Sequence, residues 1–239
     1  MTGKQIGSKY GFIANGLFQS EEEIANSATV KGYKALPGYI KYVDRNGDGI
    51  ITAAQDQGYV GKSATPKHTG SLNLFGNWKG FDFDLLFSWG LGNVVALTGQ
   101  YTASGSEGTQ DNTSFTKPFY HGGNSPTFLV ENSWTPDHTN AEFPRLEITG
   151  PSNNNGYSST FWYRNGNYMR LKTAQIGYNF PKKWLNPAGI EGLRLYVEGY
   201  NLLTFSGLTK YNIDPESPAV NNGYYPQQRT YTLGVKLTF

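Results

Sequence analysis

The sequence contains no cysteine among its 239 residues, so disulfide bonds and thiolate metal sites are excluded. It is also poor in charge, because Asp, Glu, Lys and Arg make up only 16% of the residues. An average soluble domain contains about 25%. No stretch approaches the roughly 18 consecutive apolar residues that mark a membrane-spanning helix. Any passage of this chain through a membrane must therefore use β-strands.

Two further absences limit the function classes. The net charge is +2 and no dense basic run occurs, so we expect no nucleic-acid partner. The sequence has no nucleophile elbow, phosphate-binding loop or dinucleotide fingerprint, and we expect no enzymatic activity. The histidines His68, His121 and His138 are too widely spaced to form a paired metal motif.

Aromatic and small residues are what the sequence has in abundance, with 15% aromatic residues and 30 glycines. The last nine residues alternate between apolar and polar side chains. The apolar positions are Tyr231, Leu233, Val235, Leu237 and Phe239. A period of two predicts a strand with one apolar face. Outer-membrane β-barrels show this pattern, because one strand face meets lipid and the other meets a wet lumen.

A hairpin is the clearest internal element of the sequence. Gly70 to Trp78 and Phe81 to Trp89 alternate on either side of a tight turn at Lys79-Gly80. Asp82 and Asp84 share the polar face of the second strand, where we expect a wet surface rather than acid–base chemistry. The fold class expected is all-β, as an antiparallel transmembrane β-barrel segment with long extracellular loops.

A further strand is expected at 168–180, where charged and apolar residues follow one another. Simple alternation places Arg170 and Lys172 on the same face as Ala174 and Ile176. This predicts a strand divided into a charged half above the bilayer and an apolar half inside it.

Short motifs follow one another in a fixed order along nearly the whole chain. They are Gly16-Leu17-Phe18-Gln19-Ser20, Pro37-Gly38, Asp44-Arg45-Asn46-Gly47-Asp48-Gly49, Gly80-Phe81-Asp82, Trp134-Thr135-Pro136, Pro144-Arg145-Leu146, Tyr168-Met169-Arg170-Leu171-Lys172, Asn201-Leu202, Asp214-Pro215-Glu216 and Arg229-Thr230-Tyr231. No single motif is specific, but their joint order resembles the C-terminal part of the SusC/RagA family of TonB-linked outer-membrane transporters of Bacteroidetes.

The resemblance implies that residues 1–239 are the C-terminal part of a TonB-dependent receptor β-barrel. The plug, TonB box and signal peptide are then expected outside this chain, whose first residues lack the apolar stretch of a signal peptide. The implied location is the outer membrane of a Gram-negative, Bacteroidetes-like cell, and the implied function is import of an oligosaccharide or a peptide. The implied partners are outer-membrane lipid, a SusD-like lipoprotein, the TonB complex acting through an N-terminal part, and the barrel-insertion machinery, which would recognise the terminal strand ending at Phe239.

An acidic, glycine-rich loop resembles the first half of a calcium-binding loop. Asp44, Asn46 and Asp48 have the spacing of the first three oxygen ligands, and the carbonyl of Ile50 would be the next. The twelfth position is Gln55 instead of the usual Glu, and Asp56 follows it; the family usually closes with an Asp. We expect a structural calcium ion, and the alternative is a polar turn that binds no metal.

The aromatic run Phe161, Trp162 and Tyr163 has two interpretations. Its rings could stack on sugar rings, or they could belong to the aromatic belt at a membrane interface.

A different class of protein is also compatible with the calcium-like loop and the aromatic residues. This alternative is a secreted, soluble β-sandwich that acts as a calcium-stabilised carbohydrate-binding module. The terminal strand and the polar stretch 103–157 count against it, because loops this long are uncommon in compact domains.

Overall fold

Long antiparallel strands provide most of the regular structure, and the expected all-β fold is confirmed. The computed structural model describes residues 3, 6–97, 101, 119, 124–147, 154–217 and 227–239. Within these residues the chain forms two units, the first from 6–65 and 94–164 and the second from 66–93, 165–217 and 227–239. In this part of the chain, no helix has the length and apolar character needed to cross a membrane.

The second unit is built on a five-stranded antiparallel sheet. Its strands are β7 (His68–Trp78), β8 (Phe81–Leu91), β11 (Tyr168–Asn179), β12 (Gly192–Ser206) and β13 (Thr230–Thr238). Their order across the sheet is β13-β12-β11-β8-β7. A short helix, α4 (Lys182–Leu185), lies between β11 and β12. Neighbours along the chain pair throughout, and between β8 and β11 the chain leaves the sheet and returns.

The turn between β7 and β8 shows how local chemistry sets the register of this sheet. Lys79 and Gly80 have φ values of 49° and 92°. Two consecutive positive φ angles are typical of the two-residue hairpin turns whose twist matches the flanking strands. Trp78 therefore pairs directly with Phe81, and the alternation of both strands stays in phase across the ladder.

A β-bulge in β11 changes which face its charged residues occupy. The register shifts between Leu171 and Thr173 on both sides of the strand. Met169 and Leu171 consequently share a face with Ala174, while Arg170 lies on the opposite face, paired with Ser88 and Thr204. The sequence-based placement of Arg170 and Lys172 beside Ala174 and Ile176 is therefore wrong, because one extra residue in a strand inverts the alternation beyond it.

Two glycines on the polar face of this sheet leave room for large neighbouring side chains to lie flat against it. A Cβ on Gly177 would lie 2.6 Å from the Arg194 guanidinium, and a Cβ on Gly234 would lie 2.1 Å from the Tyr196 ring. Arg194 in turn lies over the Tyr196 ring, 4.9 Å from its centroid. Both side chains therefore lie flat across the neighbouring strand instead of projecting from it.

The first unit consists of short elements. They are β1 (Ser8–Gly11), β2 (Ala14–Leu17), α1 (Glu21–Ala25), β3 (Thr29–Val30), β4 (Ile40–Tyr42), β5 (Ile50–Ile51), α2 (Ala53–Asp56), β6 (Gly58–Ser63), β9 (Val94–Ala96), α3 (Thr127–Glu131) and β10 (Tyr163–Asn165), with a 3₁₀ turn at Thr160–Trp162. The strand pairs are β1–β6, β2–β4, β9–β10 and the parallel pair β3–β5. Much of the polar stretch 103–157, including His121, lies outside the described residues.

Helix α1 shows how the sequence begins such a short element. The Ser20 hydroxyl accepts the Glu23 backbone N–H, and the Glu23 carboxylate accepts the Gln19 backbone N–H. The first bond satisfies an N–H group that the first turn leaves unpaired, and the second holds the residue before the N-cap against the helix. The ion pair with Lys41, and then the Gln19 N–H, hold the pKa of Glu23 below its usual value. Because that pKa is lowered on folding, its stabilising effect is lost as the pH falls through it.

Several of the motifs that define the family resemblance contact one another in the first unit, in a cluster of hydrogen-bonded turns around Gly38. Gly38 donates its N–H to the Phe18 carbonyl and accepts the N–H of Arg145. The Arg145 guanidinium donates to the Pro37 carbonyl at 3.2 Å. The Trp134 indole N–H binds the Gln19 side chain at 3.0 Å. These turns are therefore held in place by hydrogen bonds to one another.

We expect Gly234→Ala to destabilise the sheet by about 1–3 kcal/mol, since the new methyl group overlaps the Tyr196 ring. The measurement is the loss of the folded form on heating in detergent. Gly192→Ala is the matched control, because the nearest atoms to its Cβ lie 3.6 Å away on the same ladder. Equal decreases in unfolding temperature for the two variants would show that the packing of the Tyr196 ring does not depend on Gly234.

We expect Gly38→Ala to destabilise the first unit more than Gly32→Ala. Both glycines have positive φ values, 88° and 81°, and both changes incur the left-handed strain of about 1–2 kcal/mol. Only Gly38 is packed, with its Cβ position 2.6 Å from the Trp134 ring, which adds about 1–3 kcal/mol. Urea unfolding followed by tryptophan fluorescence measures the free energy of unfolding of each variant. Equal decreases for the two variants would contradict tight packing around Gly38.

Candidate functional site: the two faces of the sheet and the acidic loop

The sheet of the second unit has one continuous apolar face. The register places on it Leu72, Leu74, Trp78, Phe81, Phe83, Leu85, Phe87, Trp89, Met169, Leu171, Ala174, Ile176, Tyr178, Leu193, Leu195, Val197, Leu203, Phe205, Tyr231, Leu233, Val235 and Leu237. Exposure is high along this face and reaches 77% at Leu233. Apolar patches of this extent mark surfaces that are covered by a partner or by lipid.

The opposite face of the same sheet carries a hydrogen-bonded ion pair across three strands. The Asp82 carboxylate accepts the Arg194 Nε–H at 2.9 Å and the Asn179 amide at 2.7 Å. Arg194 also donates to the Gln175 side chain at 2.8 Å. Asp82 thus lies on a polar surface, and Arg194 neutralises its charge.

A second charged cluster attaches the segment before β13 to the polar face. Arg170 is 1% exposed, and its guanidinium contacts both Asp214 and Glu216. Its Nη1 lies 2.7 Å from Glu216 Oε2 but is not aligned for a hydrogen bond. Lys172 binds the same Glu216 oxygen at 2.7 Å. A buried cation needs paired carboxylates of this kind to offset its desolvation.

The acidic loop is ordered by its own backbone. The two carboxylate oxygens of Asp44 accept the N–H groups of Gly47 and Gly49, each at 2.7 Å. The Asn46 amide donates to Asp48 at 2.8 Å. The Gly49 N–H, followed by that of Gly47, holds the pKa of the Asp44 carboxyl below its usual value. Both glycines have positive φ, which permits the sharp turn.

Asp56 closes this loop from the end of α2. Its carboxylate is fully buried and accepts the N–H groups of Arg45 at 2.8 Å and Thr52 at 2.7 Å. The side chain of Ile50 is exposed in β5. Hard oxygen donors of this kind suit calcium. Among the described residues, however, no three His, Cys, Asp or Glu side chains come close enough together to hold a metal ion.

The aromatic run lies at the 3₁₀ turn before β10, and its rings point to different surroundings. Trp162 is buried, and its indole N–H donates to the Asn155 carbonyl at 2.7 Å. Phe161 packs edge-on against Trp162 with ring centroids 5.1 Å apart. The Tyr163 hydroxyl lies 3.0 Å from the Ser158 hydroxyl. The three side chains do not form one flat platform.

The terminal residues form the outer strand β13, as their alternation predicts. Leu233 pairs with Val197 and Leu237 with Leu193, so the apolar row of β13 continues that of β12. Phe239 follows the strand and is 80% exposed.

Two groups of contacts are absent from the sequence-based predictions. They are the cluster of Arg170 with Asp214 and Glu216, and the cluster of hydrogen-bonded turns around Gly38. A signal for the first is the change of apolar phase between Met169-x-Leu171 and Ala174-x-Ile176, which marks the bulge. No comparable local signal marks the second, because its partners lie far apart in sequence.

The chain is similar in sequence to receptors that are much longer than it is. It is 31% identical over 251 residues to TonB-dependent receptor P3 of Formosa agariphila, covering 99% of this chain and 22% of that protein. It is 29% identical over 240 residues to TonB-dependent receptor P26 of the same organism, covering 94% of this chain and 22% of the relative. The chain thus spans about a fifth of the length of the curated relatives it matches. No family model matches it.

Solved structures agree with the fold. A chain of the RagAB peptide transporter superposes with a TM-score of 0.64 at 24% identity, covering 97% of this chain and 23% of that one. The RagAB peptide importer in its closed-closed state gives a TM-score of 0.63 at 23% identity. Together with the ordered motifs and the two-faced sheet, these findings make the chain similar in sequence to TonB-dependent receptors and in fold to the SusC/RagA-like RagAB transporter, and it spans about a fifth of the length of such proteins.

Proposed function

We propose that the second unit forms part of the wall of an outer-membrane TonB-dependent importer. The observation that carries the proposal is the exposed apolar face of the five-stranded sheet, opposite a face that holds paired charges. A sheet of this kind separates hydrocarbon from a polar interior. The chain spans about a fifth of the length of its curated relatives, and we therefore propose transport for the complete receptor rather than for these residues by themselves.

The strand lengths support this proposal. The five strands contain 11, 11, 12, 15 and 9 residues. A tilted strand needs about 9–11 residues to cross the hydrocarbon core. Each strand of the sheet is therefore long enough to span a bilayer.

A soluble sandwich requires a second sheet over the apolar face. Within the described residues, Leu74, Ile176 and Leu233 on this face are 45%, 58% and 77% exposed. Lipid would remove the apolar surface of these side chains from water just as a second sheet would. Burial in a membrane therefore requires no further sheet over this face.

The two outer strands also suit a larger wall. β7 and β13 each have one side with no strand partner among the described residues. Unpaired backbone groups cost several kcal/mol each in hydrocarbon, so both edges need further strands. We propose that other parts of the complete receptor supply these strands, and that the barrel-insertion machinery recognises β13 with Phe239.

The transport step we propose is gated passage and involves no bond chemistry. The polar face would line the interior, a SusD-like lipoprotein would assist substrate capture outside, and the TonB complex would act through a region outside this chain. An oligosaccharide or a peptide is the proposed cargo; the related RagAB structures are of a peptide transporter.

We expect Leu74→Arg, introduced into the complete receptor, to reduce the amount of folded, membrane-inserted receptor, while Asn73→Arg does not. These neighbours lie near the middle of β7 on opposite faces, as their pairing with Leu85 and Leu86 shows. An arginine facing mid-bilayer lipid costs about 2–4 kcal/mol. Outer-membrane fractionation followed by denaturant titration in detergent measures both effects.

The Asn73→Arg variant controls for the added charge and side-chain size. If both variants behave like the unmodified protein and the protein fractionates with the soluble components, the wall proposal is wrong.

We also propose that the acidic loop binds one calcium ion as a structural brace. The support is the oxygen chemistry of Asp44, Asn46 and Asp48 in a single glycine-permitted turn, closed by Asp56, with the Ile50 carbonyl as a fifth donor. Because both Asp56 oxygens already accept N–H groups, the ion would add to a loop that is already folded.

For this loop, we expect calorimetry to show one calcium site in the intact protein. Asp48→Ala should weaken binding by about tenfold or more, since it removes one carboxylate ligand. Asp137→Ala is the control, because Asp137 is exposed and outside the loop. Absence of calcium-dependent heat in the folded protein would leave the backbone hydrogen bonds as the sole support of the loop.

A further inference from the structure

The apolar face contains a groove at one end of the sheet. Its walls come from three strands: Trp89 and Leu91 of β8, Met169 of β11 and Phe205 of β12. The groove has a volume of about 380 Å³ and also borders Asn167 and Tyr168. It opens on the surface that the proposed function assigns to lipid.

Two backbone features create this groove. A Cβ on Gly70 would lie 2.4 Å from the Trp89 indole, so the glycine lets the indole lie flat over β7. The bulge after Leu171 turns Met169 onto the apolar face, where it pairs with Trp89 on one side and Phe205 on the other. Met169 and Phe205 are 42% and 56% exposed, so both walls are accessible.

The groove lies at the end of the sheet from which the long connections leave. The 92–167 and 207–229 connections start here, whereas the opposite end has only the turn at Lys79-Gly80 and the connection 180–191. In outer-membrane barrels the longer loops are extracellular. Under the proposed function, on which this inference rests, the groove lies in the outer half of the bilayer.

Two basic residues adjoin Leu91, which is one of the residues that line the groove. Lys67 donates its backbone N–H to the Leu91 carbonyl at 2.8 Å, and its side chain passes over Gly92, 3.1 Å from that residue's Cβ position. His68 pairs directly with Leu91. Both side chains are exposed. An apolar groove ending at a cation complements an amphiphile with a hydrocarbon chain and an anionic head.

We propose that this groove binds one acyl chain of an anionic membrane lipid, with the lipid phosphate beside Lys67. A chain in the groove buries methylene groups against Trp89, Met169 and Phe205, and Lys67 adds attraction for a negative headgroup. The site differs from general lipid contact in having walls, an end and a charge.

Native mass spectrometry of the detergent-purified complete receptor with dimyristoyl phosphatidylglycerol tests this proposal. We expect one retained lipid, with retention about tenfold lower for Met169→Trp, which fills the groove. Phe205→Ala, which removes one wall, should also lower retention. Leu233→Trp, on the same face but outside the groove, should not.

The headgroup is tested with dimyristoyl phosphatidylcholine, whose net charge is zero. We expect Lys67→Gln to lower retention of phosphatidylglycerol and to leave that of phosphatidylcholine unchanged. Equal retention by Met169→Trp, Phe205→Ala and Leu233→Trp in a protein that fractionates with the outer membrane overturns the groove and leaves the wall intact. Absence of the protein from the outer membrane instead overturns the wall itself.

Discussion

The register of the antiparallel ladders is the constraint on which the rest of the second unit depends. Side chains alternate with a period of two, so a slip of one residue would exchange the apolar and polar faces. The ladders from β7 to β13 keep one row of apolar residues aligned across five strands. The two-residue turn at Lys79-Gly80 sets this register at one end, and the bulge after Leu171 corrects it in the middle.

The bulge matters because of the charge that it redirects. Without it, Arg170 would share the face of Ala174 and Ile176, to which the described strands contribute no carboxylate. With it, Arg170 reaches Asp214 and Glu216 on the polar face. The same contacts hold the segment that contains the buried Leu208 against the sheet. One irregular residue thus serves both the apolar continuity of one face and the charge balance of the other.

The sequence was sufficient for features with a local periodic signal. Alternation identifies β7, β8 and β13 and their apolar faces, and the spacing from Asp44 to Gly49 identifies a self-contained loop. The predicted face of Arg170 is wrong, because a strict period of two cannot represent a bulge. The burial of Trp162 cannot be predicted from the sequence, since a 3₁₀ turn directs consecutive aromatic side chains in different directions.

The connection between β8 and β11 has a consequence for how the sheet assembles. The other ladders of the five-stranded sheet join strands separated by at most the 207–229 connection, whereas this ladder closes residues 92–167. The entropy of loop closure grows with length, by about 0.6 kcal/mol for each doubling. The Gly92 N–H bonds the Asn167 side chain at 2.7 Å, and the Gly166 N–H bonds the Asn93 carbonyl at 3.0 Å, so the loop is clasped at its base. We expect the local hairpins to form early and this clasped ladder to be the slow, order-determining step of folding.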